Sequence, residues 1–232
     1  MSNPNTSTFW MSLAHPQGRL ILTQTTEDPL LRVEPPSYQA WFHGVTRLEL
    51  LDITARSLAA EKRFNHQLRR PVSVLEHSDW LDRFLRQENK ELADYAALHD
   101  TPEFAGHDIS ACWKTDDTSE RENAVYEAFE WKVPHPEGEA MEEFKKWDKI
   151  SAAAEATLFG YPWPWIQTYR DRFGDEPLDR YIMHIARHER RPLDEVLMMW
   201  QLSVSNRMSK KGIRLDEKFI APPEVLSQIV HR

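Results

Sequence analysis

Apolar residues recur at three- and four-residue spacing along most of this chain. Leu48, Leu51, Ala55, Leu58, Phe64 and Leu68 make one such stripe, the signature of a helix with one buried face. Thr46 and Glu49 precede it at capping-box spacing, so the helix is predicted to begin at Thr46 and to end at Pro71. Trp80, Leu81, Phe84, Leu85, Leu92 and Tyr95 predict a second helix, from Ser78 to near Leu98. Met141, Phe144, Trp147, Ile150, Ala154 and Leu158 predict a third, with Gly160 as the left-handed residue that follows it. A short helix over Ile166–Phe173 stops at Gly174, and another starts at Pro177 with Asp175 as a cap and with Leu178, Tyr181, Ile182 and Ile185 inward. Pro192 restarts the chain into a helix lined by Leu193, Val196, Leu197, Trp200, Val204 and Met208, with Gly212 at its end. Pro222-Pro223-Glu224 opens a last short one.

Two segments carry strand character instead. Residues 8–14 and 19–25 flank Pro16-Gln17-Gly18, turn chemistry that predicts a β-hairpin. Val125, Phe129, Trp131 and Val133 alternate in part, so 124–133 is read as a strand that pairs with Ala111–Lys114, although Ser119 and Glu122 also have the capping-box spacing of a helix start. The expected fold is α+β and mainly helical: an N-terminal β-hairpin followed by helices, then a helical C-terminal part. A break at 134–138 (Pro-His-Pro-Glu-Gly) divides it into an N-terminal α+β part, 1–136, and a helical C-terminal part, 137–232. One continuous domain is the alternative.

Composition changes this picture mainly by exclusion. The seven glycines never come closer than fourteen residues, so no dinucleotide-binding G-x-G-x-x-G, Walker A loop or G-x-S-x-G elbow can be written. The single Cys112 rules out an internal disulfide and a multi-cysteine metal site. No apolar run reaches the roughly eighteen residues a membrane span requires, and the start carries no secretory signal pattern. A cytoplasmic protein that does not enter a membrane is expected. The net charge of −8 disfavours nucleic-acid binding by the surface as a whole.

Several residues carry candidate chemistry. His99-Asp100 and His107-Asp108 are adjacent His-Asp pairs. Helical metal-dependent phosphohydrolases use such a pair with a distant His and a distant Asp, because imidazole and carboxylate together hold a divalent ion. His66 or His77 would supply the distant histidine. His184 and His188 lie four apart on a predicted helix and so share a face, but the glutamate of H-E-x-x-H is missing. The plain alternatives are loop residues for the first group and surface histidines for the second. Cys112, between Ala111 and Trp113, reads as a buried structural thiol. Arg187, Arg190, Arg191, Arg207, Lys210, Lys211 and Arg214 put seven cations in residues 187–214; they would track phosphates, or line a solvated face. Of nine tryptophans, Trp80, Trp147 and Trp200 fall on apolar stripes. Trp163 and Trp165 sit with Tyr161 in a proline-framed aromatic turn, the kind of rigid group that anchors a protein partner; the alternative is an internal corner packed against the helices.

Residues 185–199, Ile-Ala-Arg-His-Glu-Arg-Arg-Pro-Leu-Asp-Glu-Val-Leu-Met-Met, resemble a motif of bacteriophage tail-assembly chaperones. There an apolar-Ala-Arg stretch ending in Arg-Arg-Pro precedes a helix with Met-Leu and then a Trp. Here Trp200 comes early and the family's aromatic ending after it is absent. The resemblance implies a non-enzymatic protein of the infected bacterial cytoplasm that binds an elongated tape-measure partner. The leading expectation is therefore an interaction or assembly protein, more a non-enzyme than an enzyme, with no cofactor and no assigned metal. Its partner surface would be Tyr161, Trp163, Trp165, Arg187, Arg190 and Arg191. The alternatives are a helical metal-dependent phosphohydrolase through the His-Asp pairs, and a nucleic-acid adaptor through 187–214.

Overall fold

A computed structural model describes residues 43–103 (the side chains of 65 and 66 excepted), 135–161 and 166–218, and beyond these only short pieces of the first 23 residues and the single positions 220 and 223. The hairpin expected over 8–25, the strands over 111–114 and 124–133 and the last helix from 222 fall outside the fully described residues. What is described is mainly helical. Among the described residues there are seven α-helices, and none is long and apolar enough to cross a membrane.

The first helix, α1, spans Arg47–Ala60. Its capping box forms as its sequence predicts: Thr46 Oγ1 accepts from the Glu49 N–H, and the Glu49 carboxylate accepts from the Thr46 N–H at 2.8 Å. It ends ten residues earlier than its apolar stripe suggests. Glu61 and Lys62 turn extended, and Lys62 pairs with Ser73 in an isolated antiparallel bridge. A single 3-10 turn, Arg63–His66, lies between. Helix α2 spans Val74–Glu88 and starts at a second capping box, Ser73 with Glu76, four residues before the expected Ser78. The expected second helix is also two. Asn89, extended at φ −149°, ends α2, and its side chain caps α3, Lys90–Ala96, by accepting from the Glu91 N–H.

Helix α4, Gly138–Phe159, closes at Gly160 with φ +75°. Helix α5 is Ile166–Phe173. Helix α6, Asp175–His188, begins at the two acids that favour a helix N-terminus. Helix α7 is Leu193–Lys210, and Gly212 follows it at φ +77°.

Residues Thr46–Glu217 form one compact unit. Its main core joins Trp80, Leu81, Phe84 and Leu85 of α2 to Phe144, Trp147 and Ile150 of α4 and to Leu178, Tyr181 and Ile185 of α6. The core thus draws on residues from both sides of 134–138. Trp80, Trp147 and Trp200 are buried as their spacing indicates. The Trp200 indole N–H donates to Ala97 O at 2.9 Å. Arg207, also on α7, donates to Ala93 O at 3.1 Å and reaches Asp82 at 2.5 Å. Helix α7 therefore clamps the end of α3 and the turn that follows it. That turn carries His99 and Asp100.

Candidate metal centre

Four segments bring polar side chains to one place inside the helical unit. His77 stands in the first turn of α2, fully buried. His99 and Asp100 lie on the turn after α3, where Leu98, Thr101 and Glu103 N–H groups donate to Tyr95 O, Leu98 O and Asp100 O. Asp148, Ser151 and Glu155 sit on α4 at i, i+3 and i+7, the spacing that puts three side chains on one face. Arg63 comes from the 3-10 turn.

Their donor atoms converge. His77 Nε2 lies 3.2 Å from Asp148 Oδ1 and 3.6 Å from Asp100 Oδ2. His99 Nε2 lies 3.0 Å from Asp100 Oδ1 and 3.9 Å from Asp148 Oδ1. One ligand atom from each of His77, His99 and Asp100 falls within 4.8 Å of the others. An ion bound at about 2.1 Å holds neighbouring donors about 3.0–3.5 Å apart, depending on coordination number. Two of the observed separations, 3.0 and 3.2 Å, fall in that range, and 3.6 and 3.9 Å lie above it.

The second nitrogen of each imidazole is already committed. His77 Nδ1 donates to Glu155 Oε1 at 2.6 Å, and His99 Nδ1 donates to Ala96 O at 2.8 Å. Both rings are thereby turned so that Nε2 faces the carboxylates. A histidine that donates one N–H to a carboxylate or a backbone carbonyl and offers the other nitrogen is the usual form of a metal-ligating imidazole. The His77 Nε2 and Asp100 Oδ2 atoms are buried and make no hydrogen bond of good geometry. Buried polar atoms are rarely left so, and a cation between them satisfies both. Glu155 is held in turn by Arg63 Nε at 3.0 Å, and Arg63 Nη1 stands 3.6 Å from Asp100 Oδ2. Ser151 Oγ donates to Asp148 O at 2.7 Å and lies 3.4 Å from His77 Nδ1.

The electrostatics favour positive charge. Burial and the nearby Arg63 oppose a charged His77, but Glu155 and Asp148 outweigh them and lift its pKa from 6.5 to about 9. Burial alone would raise the Asp100 and Asp148 carboxyls, yet the facing histidines and Arg63 hold both below the ordinary range. Two ionised carboxylates therefore face the two imidazoles. Asp148 is the open side of the cluster, with 38% of its side chain accessible against 13% for Asp100 and none for His77.

Other candidate residues are placed differently. His107, Asp108, Cys112, Trp163 and Trp165 lie outside the described residues, and nothing is described of the His66 side chain. Tyr161 packs against Phe64 with ring centroids 5.2 Å apart. His184 is a core residue, not a surface one: its Nε2–H donates to Trp80 O at 3.0 Å, and burial with the His188 and Arg83 charges lowers its pKa to about 4 despite that bond. Its ring meets His188 edge-on at 4.7 Å. Among the described residues, only the His77, His99 and Asp100 group has metal-ligand spacing, and Asp148 Oδ1 adjoins it at 3.2 Å from His77 Nε2 and 3.9 Å from His99 Nε2. In the basic stretch, Arg207 and Lys211 are engaged by Asp94 and Arg214 by Asp216. Arg187 and Arg190 are exposed. In the segment resembling tail-assembly chaperones, Ile185 and Val196 are buried core positions, as is Trp200 after it.

Asp148, Ser151, Glu155 and Arg63 were not singled out from the sequence. One signal was available: Glu155 interrupts the run Ala152-Ala153-Ala154 and Ala156, a stretch otherwise fit only for burial. No family model and no curated protein matches this chain.

Proposed function

We propose that this chain is a metal-dependent phosphohydrolase of the helical His-Asp type. The observation that carries the reading is the convergence of His77, His99, Asp100 and Asp148, with both histidines pinned through their Nδ1 atoms. Two imidazoles and two carboxylates suit a first-row divalent ion such as manganese, iron, cobalt or zinc. When bound, such an ion polarises a phosphoryl oxygen and lowers the pKa of a coordinated water. The chain's own residues do the rest. Asp148, on the accessible side, leaves room for substrate. Arg63 places a permanent cation beside the centre, where a phosphoryl group gathers charge in its transition state. Glu103 follows Asp100 by three residues on the same turn, a spacing that favours a shared face, and is the candidate to carry a proton.

This replaces the assembly reading as the first choice. That reading leans on Trp163 and Trp165, outside the described residues, and on a segment in which Ile185 and Val196 are buried in the core while Met198 is exposed. The test is phosphate release from p-nitrophenyl phosphate and a panel of phosphomonoesters by chelator-stripped protein resupplied with Mn²⁺, Co²⁺ or Mg²⁺. Metal-dependent release that falls at least about 100-fold in folded His99→Ala and Asp148→Asn variants supports it. Absence of release with every metal and substrate, or equal rates in the variants, overturns it.

A further inference from the structure

Among the described residues, Phe64 alone of the non-glycines has a positive φ, +56°. A side chain at that backbone angle crowds its own carbonyl, and for a bulky residue the conformation is a true outlier. Such strain persists only where the surroundings over-determine it, and it collects at functional sites. Here the surroundings are explicit. On one side the Arg63 N–H donates to Val72 O at 2.9 Å; on the other the Gln67 N–H donates to Phe64 O at 3.0 Å. The Phe64 ring packs against Tyr161 at 5.2 Å and against the main core.

The residue so held follows Arg63 directly. A left-handed residue reverses the chain sharply. Arg63 thus reaches Glu155 and Asp100 in the centre while the next side chain packs on Tyr161. The Arg63 guanidinium carbon also lies 5.7 Å from the Phe64 ring centroid, so the ring backs the cation it helps to place. We infer that Phe64 is a positioning residue: its left-handed backbone aims Arg63 at the position a substrate phosphoryl group takes. The inference rests on the metal-centre reading for its consequence, but the backbone part stands by itself.

The experiment compares Phe64→Gly with Phe64→Ala in the full chain. Both remove the ring; only glycine adopts this backbone without strain. Three quantities are measured: Mn²⁺ affinity, competitive inhibition by inorganic phosphate together with KM and kcat for p-nitrophenyl phosphate, and thermal stability. Mn²⁺ affinity is expected to stay within about threefold of the unmodified chain in both, since no ligand is touched. The alanine variant is expected to raise KM and the phosphate inhibition constant about tenfold, and glycine to recover at least threefold of that loss. Glycine should also be the more stable of the two, against its usual entropic disadvantage. Equal phosphate inhibition constants for the two variants, or a better one for alanine, overturn the inference. If the unmodified chain binds no Mn²⁺, the metal-centre reading fails instead. The stability order then decides the backbone claim alone, and alanine at or above glycine overturns it.

Discussion

Raising the pH of the metal-free protein from 6 to 9.5 tests the charge balance of the centre. His77 is fully buried and, without a metal ion, is flanked by the Glu155 and Asp148 carboxylates, which lift its pKa from 6.5 to about 9. A folded-state pKa above the unfolded one gives stability that is complete below pH 6.5 and is lost as the pH climbs through 9. At about 1.4 kcal/mol for each pH unit of difference, the loss is about 3 kcal/mol. That is a large part of the 5–15 kcal/mol typical of a domain. Urea unfolding of chelator-stripped protein at several pH values measures it. Repeating the series at saturating Mn²⁺ supplies the control, because the ion takes the place of the His77 proton while every other titrating group remains. The metal-free protein should lose stability between pH 6.5 and 9, and the metal-loaded protein should hold or gain it. Parallel curves for the two forms over that range would refute the reasoning.

Three further outcomes follow from the same contacts. Glu155→Gln leaves the four proposed ligands in place but removes the carboxylate that accepts from His77 Nδ1, so the Mn²⁺ dissociation constant should rise about 10- to 100-fold by calorimetry. Arg207→Met leaves Asp82, 4% accessible, with Arg86 as its remaining close cation; urea unfolding should show a loss of about 2 kcal/mol, with Mn²⁺ affinity little changed. Glu103→Gln should lower kcat at least about 100-fold while KM stays within threefold, if this carboxylate carries the proton; an equal rise in KM with kcat intact would assign it to binding instead.

Local signals in the sequence fared better than long-range ones. The Thr46 and Glu49 box sets the start of α1 because its two hydrogen bonds close within four residues. Gly160 and Gly212 mark helix ends because each takes the left-handed backbone that stops a helix. The end of α1 was not legible. Phe64 and Leu68 continue its 3–4 spacing, and no proline or glycine marks the break; what ends it is pairing of Lys62 with Ser73, eleven positions on. The Ser73 and Glu76 box had the right spacing too. The apolar stripe becomes dense only at Trp80, which points to a start at Ser78 and leaves His77 outside the helix that carries it. For the site, His99-Asp100 was legible as an adjacent pair. Asp148 and Glu155 were not, since an acid on a helix reads by default as part of a solvated face. Only the fold reveals that this face of α4 turns inward, onto His77.

Metal content tests the central claim most directly. Purified full-length protein, stripped with chelator and titrated with Mn²⁺ or Co²⁺ by calorimetry, should bind an ion tightly at a saturable site. Folded His77→Ala and Asp100→Asn variants should lose that binding at least about 100-fold, because each removes one donor from the set. No saturable binding by the unmodified chain, or binding that survives both substitutions unchanged, would contradict the assignment of His77, His99, Asp100 and Asp148 as a metal centre.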